Sequence, residues 1–405
     1  MNLIKKTIES LLLRIWYGQG QLAVFFAKLL SPLSSLYHAV AENNKRKGIA
    51  NRDDNLPIKV IVIGNITAGG TGKTPLLIAL AQQLAAQGWN PGVISRGHGG
   101  LYLNGGLYLN DGPSLNESLH DNPKNNTNDK AMPTWVKPDS DPFWVGDEPV
   151  HIAQALQTMP VVVCPRRIEA VEMLVQQTDC DIILSDDGLQ HYALARDIEL
   201  VLVDSARGFG NQRLLPAGPL REPLERLSSV DMVVFNGEPS SELQSLVAEH
   251  TENDQQAQYS MQMAITGLRS LSDSSLESVD LNYLNRYQVI HLVAGIGNPE
   301  RFFNAVRLLL SNNENAPLIV EHAFPDHYSY KESDLAFSAS ENGQGGHTGN
   351  GSENQSDKSA AIVMTAKDAV KCGGFKQNSL PLYAIDVSAK IDSQLTAAIC
   401  AQLAQ

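Results

Sequence analysis

Short apolar runs alternate with longer helical patterns over most of this sequence. Each run has the length of a buried strand, and several end in glycine, serine or aspartate. Strands and helices that alternate at this spacing predict a parallel sheet with right-handed crossovers. The predicted strands are 61–64, 91–95, 161–164, 182–184, 200–203, 232–235, 289–293 and 361–364. We therefore predict a doubly wound α/β core over 53–236 and a smaller α/β lobe over 237–405.

Two tracts interrupt this pattern. The hexapeptide GGLYLN occurs twice, over 99–104 and 105–110, and is followed by a segment rich in Asn, Asp and Pro. The second tract, 338–359, is rich in Gly, Ser, Asn and Gln. We predict that 99–143 is a flexible insertion and that 338–359 is a disordered one.

The first predicted strand leads into a glycine-rich loop that ends in Gly72-Lys73-Thr74, and a helix over 74–88 follows. Such a loop cradles phosphate with its backbone amides, while its Lys reaches the β- and γ-phosphates and its Thr hydroxyl binds Mg²⁺. The usual pattern has Gly where this chain has Thr67, so a chance Gly-Lys-Thr turn is the alternative. The predicted ATP-binding residues are Thr67, Ala68, Gly69, Gly70, Thr71, Gly72, Lys73 and Thr74.

A pair of carboxylates ends the strand at 182–184. In a fold with a phosphate loop, an aspartate at this place lies beside the loop and holds Mg²⁺, often through water. A plain Asp-Asp-Gly turn at a strand end is the alternative. The paired acids, together with the loop, favour a metal role for Asp186 and Asp187 with Thr74.

Asp147 precedes a predicted helix, so its residue type alone leaves two roles equally open. It is either a helix N-cap or a general base that accepts the proton of an attacking hydroxyl. His327, in the sequence FPDH, is a natural orienting partner for such a base, although an isolated histidine there is more often an ordinary turn residue.

The segment 207–226 carries four arginines among glycines, prolines and leucines, without a helical period. Arginines on a rigid, partly apolar loop suit an anionic amphiphile, because each guanidinium can contact phosphate in a bidentate manner. A surface loop whose arginines pair with nearby acids is the alternative.

Charge is distributed unevenly along the chain. Residues 1–52 contain eight Lys and Arg against two Glu, a net charge of +6, whereas the whole chain has −13 and the rest therefore −19. A basic N-terminal segment on an acidic body argues against a nucleic-acid partner and suits contact with an anionic surface. The four scattered cysteines suggest neither a disulfide framework nor a zinc site, which favours a reducing cytoplasm.

The same segment, 1–52, is also apolar at helical spacing, and Pro32 is expected to end or kink its second helical run. The longest stretch free of charge between Arg14 and Lys28 has 13 residues, fewer than the ~20 of a membrane span. A cleaved signal peptide lacks a small-residue cleavage site here. An amphipathic helical segment that associates with the membrane interface fits best, and a helix packed on the protein's own core is the alternative.

Eight motifs occur in an order that resembles one known family. They are GNITAGGTGKTP, SRGHGG, VGDEP, SDDGLQH, LLPAGPLREP, GIGNPERFF, FPDH and TAKDAVK. Apart from the two tracts, the resemblance spans about 10–390. The chain resembles the tetraacyldisaccharide 4'-kinases, the lipid A 4'-kinases of Gram-negative bacteria.

This resemblance implies an enzyme that uses ATP and Mg²⁺ at the cytoplasmic face of the inner membrane, as a peripheral or monotopic protein. It implies phosphorylation of the 4'-hydroxyl of tetraacyldisaccharide 1-phosphate in lipid A biosynthesis, with the lipid and the membrane surface as partners and no obligate protein partner. Departures from the family pattern are His98 in place of Tyr and Ala366 in place of Glu. The implied catalytic residues are Lys73, Asp147 and His327, and the implied substrate-binding residues are Arg96, Arg213 and Arg221.

A membrane-associated switch ATPase of the partitioning type is the main alternative, because its loop also reads Gly-Gly-x-Gly-Lys-Thr. Such loops carry a signature Lys before the glycine pair, where this chain has Ala68. A soluble small-molecule kinase would leave the N-terminal segment unexplained.

Overall fold

The computed structural model describes residues 2–97, 132–251, 257–271, 279–311, 316–337, 360–373, 375 and 380–404. The chain divides into two compact units. The first, Leu12–Gln262 with Ile391–Gln405, contains the glycine-rich loop and is called the phosphate-loop unit. The second unit is Met1–Leu11 with Met263–Lys390.

The strands follow the predicted alternation with helices. They are β1 Lys59–Gly64, β2 Pro91–Ser95, β3 Thr134–Val136, β4 Val161–Val163, β5 Ile182–Asp186, β6 Ile198–Asp204, β7 Met232–Asn236, β8 Ala257–Ser270, β9 Val289–Ala294, β10 Leu318–Ala323, β11 Ala360–Thr365 and β12 Leu382–Ile391.

The α-helices cover the strands and form the N-terminal segment. They are α1 Asn2–Tyr17, α2 Gln21–Ala50, α3 Lys73–Ala86, α4 Pro142–Val145, α5 Asp147–Leu156, α6 Arg167–Gln177, α7 Ser241–Glu249, α8 Pro299–Leu310, α9 Ala366–Ala369 and α10 Ser393–Leu403.

In the phosphate-loop unit the strand order is β8-β7-β6-β1-β5-β2-β4-β3. Strands β8 to β4 are parallel, and β3 is antiparallel to β4. The central strands are runs of Val and Ile buried on both faces, as parallel strands covered by helices require. All carboxyl ends of the parallel strands therefore lie on one edge of the sheet, and β1 delivers the glycine-rich loop to that edge.

The second unit is also built on parallel strands, in the order β10-β9-β11-β12-β8. Strand β9 pairs in parallel with β10 and β11, and β11 with β12. Helix α8 contributes Phe302, Phe303, Val306 and Leu310 to the apolar core of this unit. These observations confirm the predicted fold class, a mostly parallel α/β sheet with a phosphate-loop unit and a helical N-terminal segment.

Three local expectations differ from the structure. Residues 132–143, predicted as part of the flexible insertion, include β3 and the start of α4, because Trp135 packs on the apolar core beneath β4. The rest of that insertion and all of 338–359 lie outside the described residues. The segment 238–258, for which no helix is predicted, contains α7, whose Leu243 and Val247 are buried. The predicted boundary at 236 also differs, because β8 continues the sheet of the phosphate-loop unit to Gln262.

Helix α2 does not end at Pro32 but continues to Ala50. The hydroxyls of Ser31 and Ser35 donate to carbonyls one turn earlier, those of Ala27 and Ser31. Among the described residues, α2 is the one helix that is long and apolar enough to cross a membrane by length and composition alone. Buried core helices and signal sequences have the same length and composition.

Candidate active site

The loop after β1 has the backbone shape of a phosphate cradle. Gly69 and Gly72 adopt positive φ angles of 112° and 98°, which side chains with a Cβ rarely adopt. A Cβ at Gly72 would also lie 2.7 Å from Nδ2 of Asn236. Helix α3 begins immediately afterwards, at Lys73, so its N-terminal amides and partial positive charge face the loop.

Polar side chains from neighbouring strands fix the loop and its lysine. Nζ of Lys73 donates to Oδ1 of Asn65 at 3.0 Å and lies 3.6 Å from Oδ1 of Asp187. Nδ2 of Asn236, at the end of β7, donates to the carbonyl of Thr71 at 2.7 Å. The lysine is thereby held at the carboxyl end of β1, beside the carboxylates of β5.

The first part of the predicted ATP-binding segment contacts the arginine-containing segment. The amide of Ala68 donates to the carbonyl of Pro219 at 2.7 Å, and the amide of Arg221 donates to the carbonyl of Ile66 at the same distance. Thr67 forms an isolated β-bridge with Leu220. Thr67 and Ala68 thus join the phosphate loop to the arginine-containing segment.

The two aspartates at the end of β5 lie beside the loop. Asp186 is the last residue of β5, and Ile63 of β1 is its register partner. Asp187 has a φ angle of 44°, in the left-handed region that is uncommon for residues other than glycine. Its carboxylate accepts hydrogen bonds from NH1 of Arg221 at 3.0 and 3.2 Å, so Lys73 and Arg221 both contact Asp187.

The environments of these aspartates move their pKa values in opposite directions. Burial raises the pKa of Asp186 to about 7, and the negative charges of Glu148 and Asp187 add to this effect. Burial also tends to raise the pKa of Asp187, but the charges of Lys73 and Arg221 outweigh it and hold that pKa well below its usual range. Asp187 is therefore an anion at neutral pH, whereas Asp186 in the metal-free protein titrates near neutrality.

The carboxylates and hydroxyls here fit a small hard cation. In the described part of the chain, Oδ1 of Asp186, Oγ of Ser185 and Oγ1 of Thr71 are buried without a hydrogen-bond partner. No group of three or more His, Cys, Asp or Glu side chains among the described residues could enclose a metal. This combination suits Mg²⁺, which usually takes one or two carboxylates and completes its shell with water and substrate phosphates.

Several residues that the sequence did not single out complete this site. Arg167, buried at 3% exposure, donates to the backbone carbonyl of Asp186 at 2.9 Å. Nε2 of Gln190 donates to the carbonyl of Asn65 at 3.3 Å, and Oε1 of Gln190 accepts from Arg221 at 3.5 Å. These contacts join residues far apart in the sequence, and only the SDDGLQH motif gave a local signal for Gln190.

The three arginines implied as substrate-binding residues lie in different surroundings. Arg221 is part of the site through Asp187, whereas NH1 of Arg213 donates to Oγ of Ser31 on α2 at 3.0 Å. Arg96 follows β2, is exposed, and its charge lowers the pKa of His191, after the larger effects of burial and of other arginines. Arg96 and Arg221 therefore lie at the same sheet edge, while Arg213 lies against the N-terminal helices.

Asp147 is the first residue of α5 and is buried at 4% exposure. Gly146 occupies the N-cap position, and Oδ1 of Asp147 accepts from the amide of Glu148 at 3.0 Å. Since Glu148 raises the pKa of Asp186, the start of α5 lies near the end of β5. The N-cap role considered for Asp147 is thus taken by Gly146.

His327 belongs to the second unit, in the turn after β10. It has a φ angle of 58°, and Nε2 lies 3.8 Å from Oδ1 of Asp326. Asp326 also lies 3.4 Å from Nζ of Lys367. Nearby, the buried carboxylate of Asp368 accepts from the amide of Gly295 at 2.9 Å. The GIGN, FPDH and TAKD motifs therefore meet at the carboxyl ends of β9, β10 and β11.

A phosphate loop on a parallel sheet, with its lysine beside an ion-paired aspartate, defines a phosphate-transferring or phosphate-hydrolysing protein of the P-loop class. Comparison with known proteins narrows the class. Residues 26–115 and 126–404 match the family model described as Tetraacyldisaccharide-1-P 4'-kinase. The chain belongs to this family of kinases, phosphotransferases with an alcohol group as acceptor.

Individual relatives agree with this assignment. The chain is 39% identical over 383 residues to the tetraacyldisaccharide 4'-kinase of Nitrosococcus oceani, covering 94% of this chain and 91% of the relative. It is 38% identical over 377 residues to that of Pseudomonas syringae pv. tomato, covering 93% and 92%. A crystal structure of LpxK from Aquifex aeolicus, described as an "apo" form in complex with ATP, has a similar fold, with a TM-score of 0.63 at 23% identity over 93% of this chain and 99% of that one. The switch-ATPase alternative is not favoured.

Proposed function

We propose that this protein transfers the γ-phosphate of ATP to the 4'-hydroxyl of tetraacyldisaccharide 1-phosphate, a step of lipid A biosynthesis, at the cytoplasmic face of the inner membrane. The observation that carries the proposal is the convergence of Lys73, Asp187 and Arg221 at the end of the phosphate loop. Membership of the kinase family supports the choice of acceptor.

Phosphoryl transfer depends mainly on positioning and on neutralising charge at the transferring group. The amides of Gly69–Thr74 would bind the phosphates of ATP, and Lys73 would contact the β- and γ-phosphates. Bound Mg²⁺, held by Thr74 with Asp186 or Asp187, would supply further positive charge to the phosphates. Arg221, kept in place by Asp187, adds a guanidinium on the acceptor side of the same edge.

Asp147 is proposed as the group that accepts the proton of the sugar hydroxyl. Its support is its burial at the start of α5, near the end of β5. His327 is proposed as its orienting partner on the resemblance of the FPDH motif alone. Arg96 and Arg213 are proposed as further anion-binding groups for the lipid, since each guanidinium can form bidentate contacts with phosphate.

The kinase proposal is tested with labelled ATP and tetraacyldisaccharide 1-phosphate dispersed in detergent. Lys73→Ala is expected to lower kcat by at least about 1,000-fold, because it removes the main side-chain cation at the β/γ-phosphates. The matched control is Lys59→Ala at the start of β1, where the lysine is 44% exposed and pairs with Asp197; its activity should be near wild type.

Asp147→Asn in the same assay should lower kcat much more than it weakens ADP binding. ATP hydrolysis without the lipid serves as the second control. Rapid ATP hydrolysis with no labelled lipid, or near-normal transfer by Lys73→Ala, would contradict the kinase assignment.

A further inference from the structure

The segment that carries Arg221 is hydrogen-bonded to the N-terminal helices. Three side chains on α1 and α2 donate to backbone carbonyls of residues 214–221. They are Trp16 Nε1 to Pro216 at 2.9 Å, Ser34 Oγ to Leu214 at 2.8 Å and Tyr37 OH to Arg221 at 3.1 Å. If the helices served only as an anchor, these donors would be hydrogen-bonded to water. Their backbone partners in the protein therefore indicate a structural role for the helices.

Burial distinguishes these contacts from incidental surface bonds. Trp16 and Ser34 are each only 9% exposed, and Oγ of Ser34 also accepts from the amide of Ala217 at 3.2 Å. Asn211 extends the same junction, since its amide donates to the carbonyl of Trp16 at 2.8 Å. A buried hydroxyl that bonds to two backbone groups costs more to remove than an exposed one.

The opposite side of the same segment contacts the phosphate loop. The amide of Arg221 donates to Ile66, and the carbonyl of Pro219 accepts from Ala68, while the guanidinium of Arg221 contacts Asp187. Residues 214–221 therefore lie between the N-terminal helices and the phosphate loop. Tyr37 reaches the backbone of the very residue whose side chain enters the active site.

Helix α2 has a second, outward face with a different character. Its exposed apolar side chains recur at helical spacing: Leu22 at 74%, Phe25 at 60%, Leu29 at 63%, Leu33 at 52% and Leu36 at 64% exposure. Such a face suits the lipid interface. One helix thus presents an apolar face outward and hydrogen-bond donors to the catalytic segment inward.

We propose that Ser34 and Tyr37 are positioning residues, which hold residues 214–221 and hence Arg221 at the phosphate loop from the membrane-facing helix α2. This inference rests on the proposed kinase function and adds that the N-terminal helices are part of the catalytic structure as well as an anchor. Burial raises the pKa of the Tyr37 hydroxyl, so the hydroxyl remains a hydrogen-bond donor at neutral pH.

The test uses the full chain, with ATP and the lipid substrate dispersed in detergent so that membrane binding is not required. Tyr37→Phe and Ser34→Ala should each lower kcat about 10-fold, with the Kd for ADP and the melting temperature close to wild type. The control is Leu29→Ser on the outward face of α2. It should weaken binding to vesicles of phosphatidylethanolamine and phosphatidylglycerol and leave kcat in detergent unchanged.

A double-mutant cycle separates positioning from general loosening. If Tyr37 acts through Arg221, Tyr37→Phe should cause little further loss of kcat in an Arg221→Ala background. Full additivity of the two losses, unchanged kcat in both Tyr37→Phe and Ser34→Ala, or parallel loss of ADP binding and thermal stability would each overturn the proposal. A wild-type protein without lipid kinase activity would instead reject the proposed function, so the two failures are distinguishable.

Discussion

Asp186 and Asp187 are adjacent in sequence but face opposite electrostatic surroundings. Asp186 is buried at 2% exposure and lies near two other acids, whereas the carboxylate of Asp187 contacts Lys73 and Arg221. Neighbouring titratable groups whose pKa values move apart are typical of sites that handle charge. In the metal-free protein, ionisation of Asp186 costs free energy because the carboxylate is buried near other acids. A bound cation would lower this cost.

This difference predicts opposite stability effects for two similar substitutions. The pKa of Asp186 is raised from 3.8 to about 7, so the folded protein binds more protons than the unfolded one between these values. The destabilisation is therefore absent below about pH 4 and complete above pH 7. In EDTA at pH 8, Asp186→Asn should raise the melting temperature by roughly 5 °C, and the gain should vanish near pH 4.

Asp187→Asn is the matched control for that experiment. Its pKa is lowered in the folded state by Lys73 and Arg221, so its contribution is stabilising above its unfolded pKa and is lost as the pH falls. At pH 8 this variant should melt below the wild type. If Asp186→Asn instead melts below the wild type at pH 8, the ionised carboxylate of Asp186 does not destabilise the folded protein, and the interpretation is contradicted.

The site residues that could be predicted from the sequence are those that stand in a recognisable local pattern. Lys73, Thr74, Asp186 and Asp187 stand in local patterns of strand, loop and helix, and the structure brings Lys73 and both aspartates to one sheet edge. Arg167 and Asn236 gave no such signal, because each contributes through a partner distant in the sequence, Asp186 and Thr71 respectively. Asn65 and Glu148 stand in quoted motifs, but their contacts do not follow from local periodicity. Their roles follow from strand order, which local periodicity does not specify.

At the scale of elements, a buried charge network connects β6 to the segment after β5. Arg226, 6% exposed, donates to Glu199 at 2.6 Å and to the hydroxyl of Tyr192 at 3.0 Å. Glu199 also pairs with Arg196 at 2.7 Å, and Glu222 accepts from both Tyr192 and Gln190. The network therefore holds residues 187–196, which include Asp187 and Gln190, against the rest of the sheet.

Breaking this network should destabilise the protein. Arg226→Ala removes a buried cation and leaves part of the charge of Glu199 and Glu222 uncompensated, which typically costs about 3–5 kcal/mol. Urea unfolding should show this loss in the free energy of unfolding. Arg269→Ala is the control, since that arginine is 34% exposed and lies 3.6 Å from Asp386; its effect should be below about 1 kcal/mol. Equal effects of both substitutions would contradict the interpretation.

Elements with strong apolar runs were predicted from the sequence, and those stabilised mainly by distant partners were not. The runs at β1, β5, β6 and β7 are buried on both faces, so their composition alone identified them. Strand β3 has three residues and depends on pairing with β4. Helix α7 is rich in polar residues and is stabilised by a Ser240 N-cap and two buried side chains, features too weak for a pattern to detect.

At the scale of the whole molecule, the proposed association with the membrane rests on α2. It satisfies the length and composition of a membrane span, yet its inward face is occupied: Ser34 and Tyr37 donate to residues 214–221, and Ala27 packs with Ile15 and Trp16. A helix crossing the hydrocarbon would have to bury this polar junction in lipid, where unsatisfied polar groups are costly. We therefore expect α2 to lie in the interface, with its apolar face in the lipid.

That orientation is tested by extraction and by salt. Alkaline carbonate should release the protein from membrane fractions, as it releases interfacial proteins and not spanning ones, and flotation with vesicles should be greater when phosphatidylglycerol is included. High salt should weaken the attraction of the N-terminal segment, with its charge of +6, but only in part, because the apolar contact of Phe25 and Leu29 is insensitive to screening. Phe25→Ser combined with Leu29→Ser should remove the salt-resistant fraction. Retention in carbonate would establish a spanning helix and reject the interfacial arrangement.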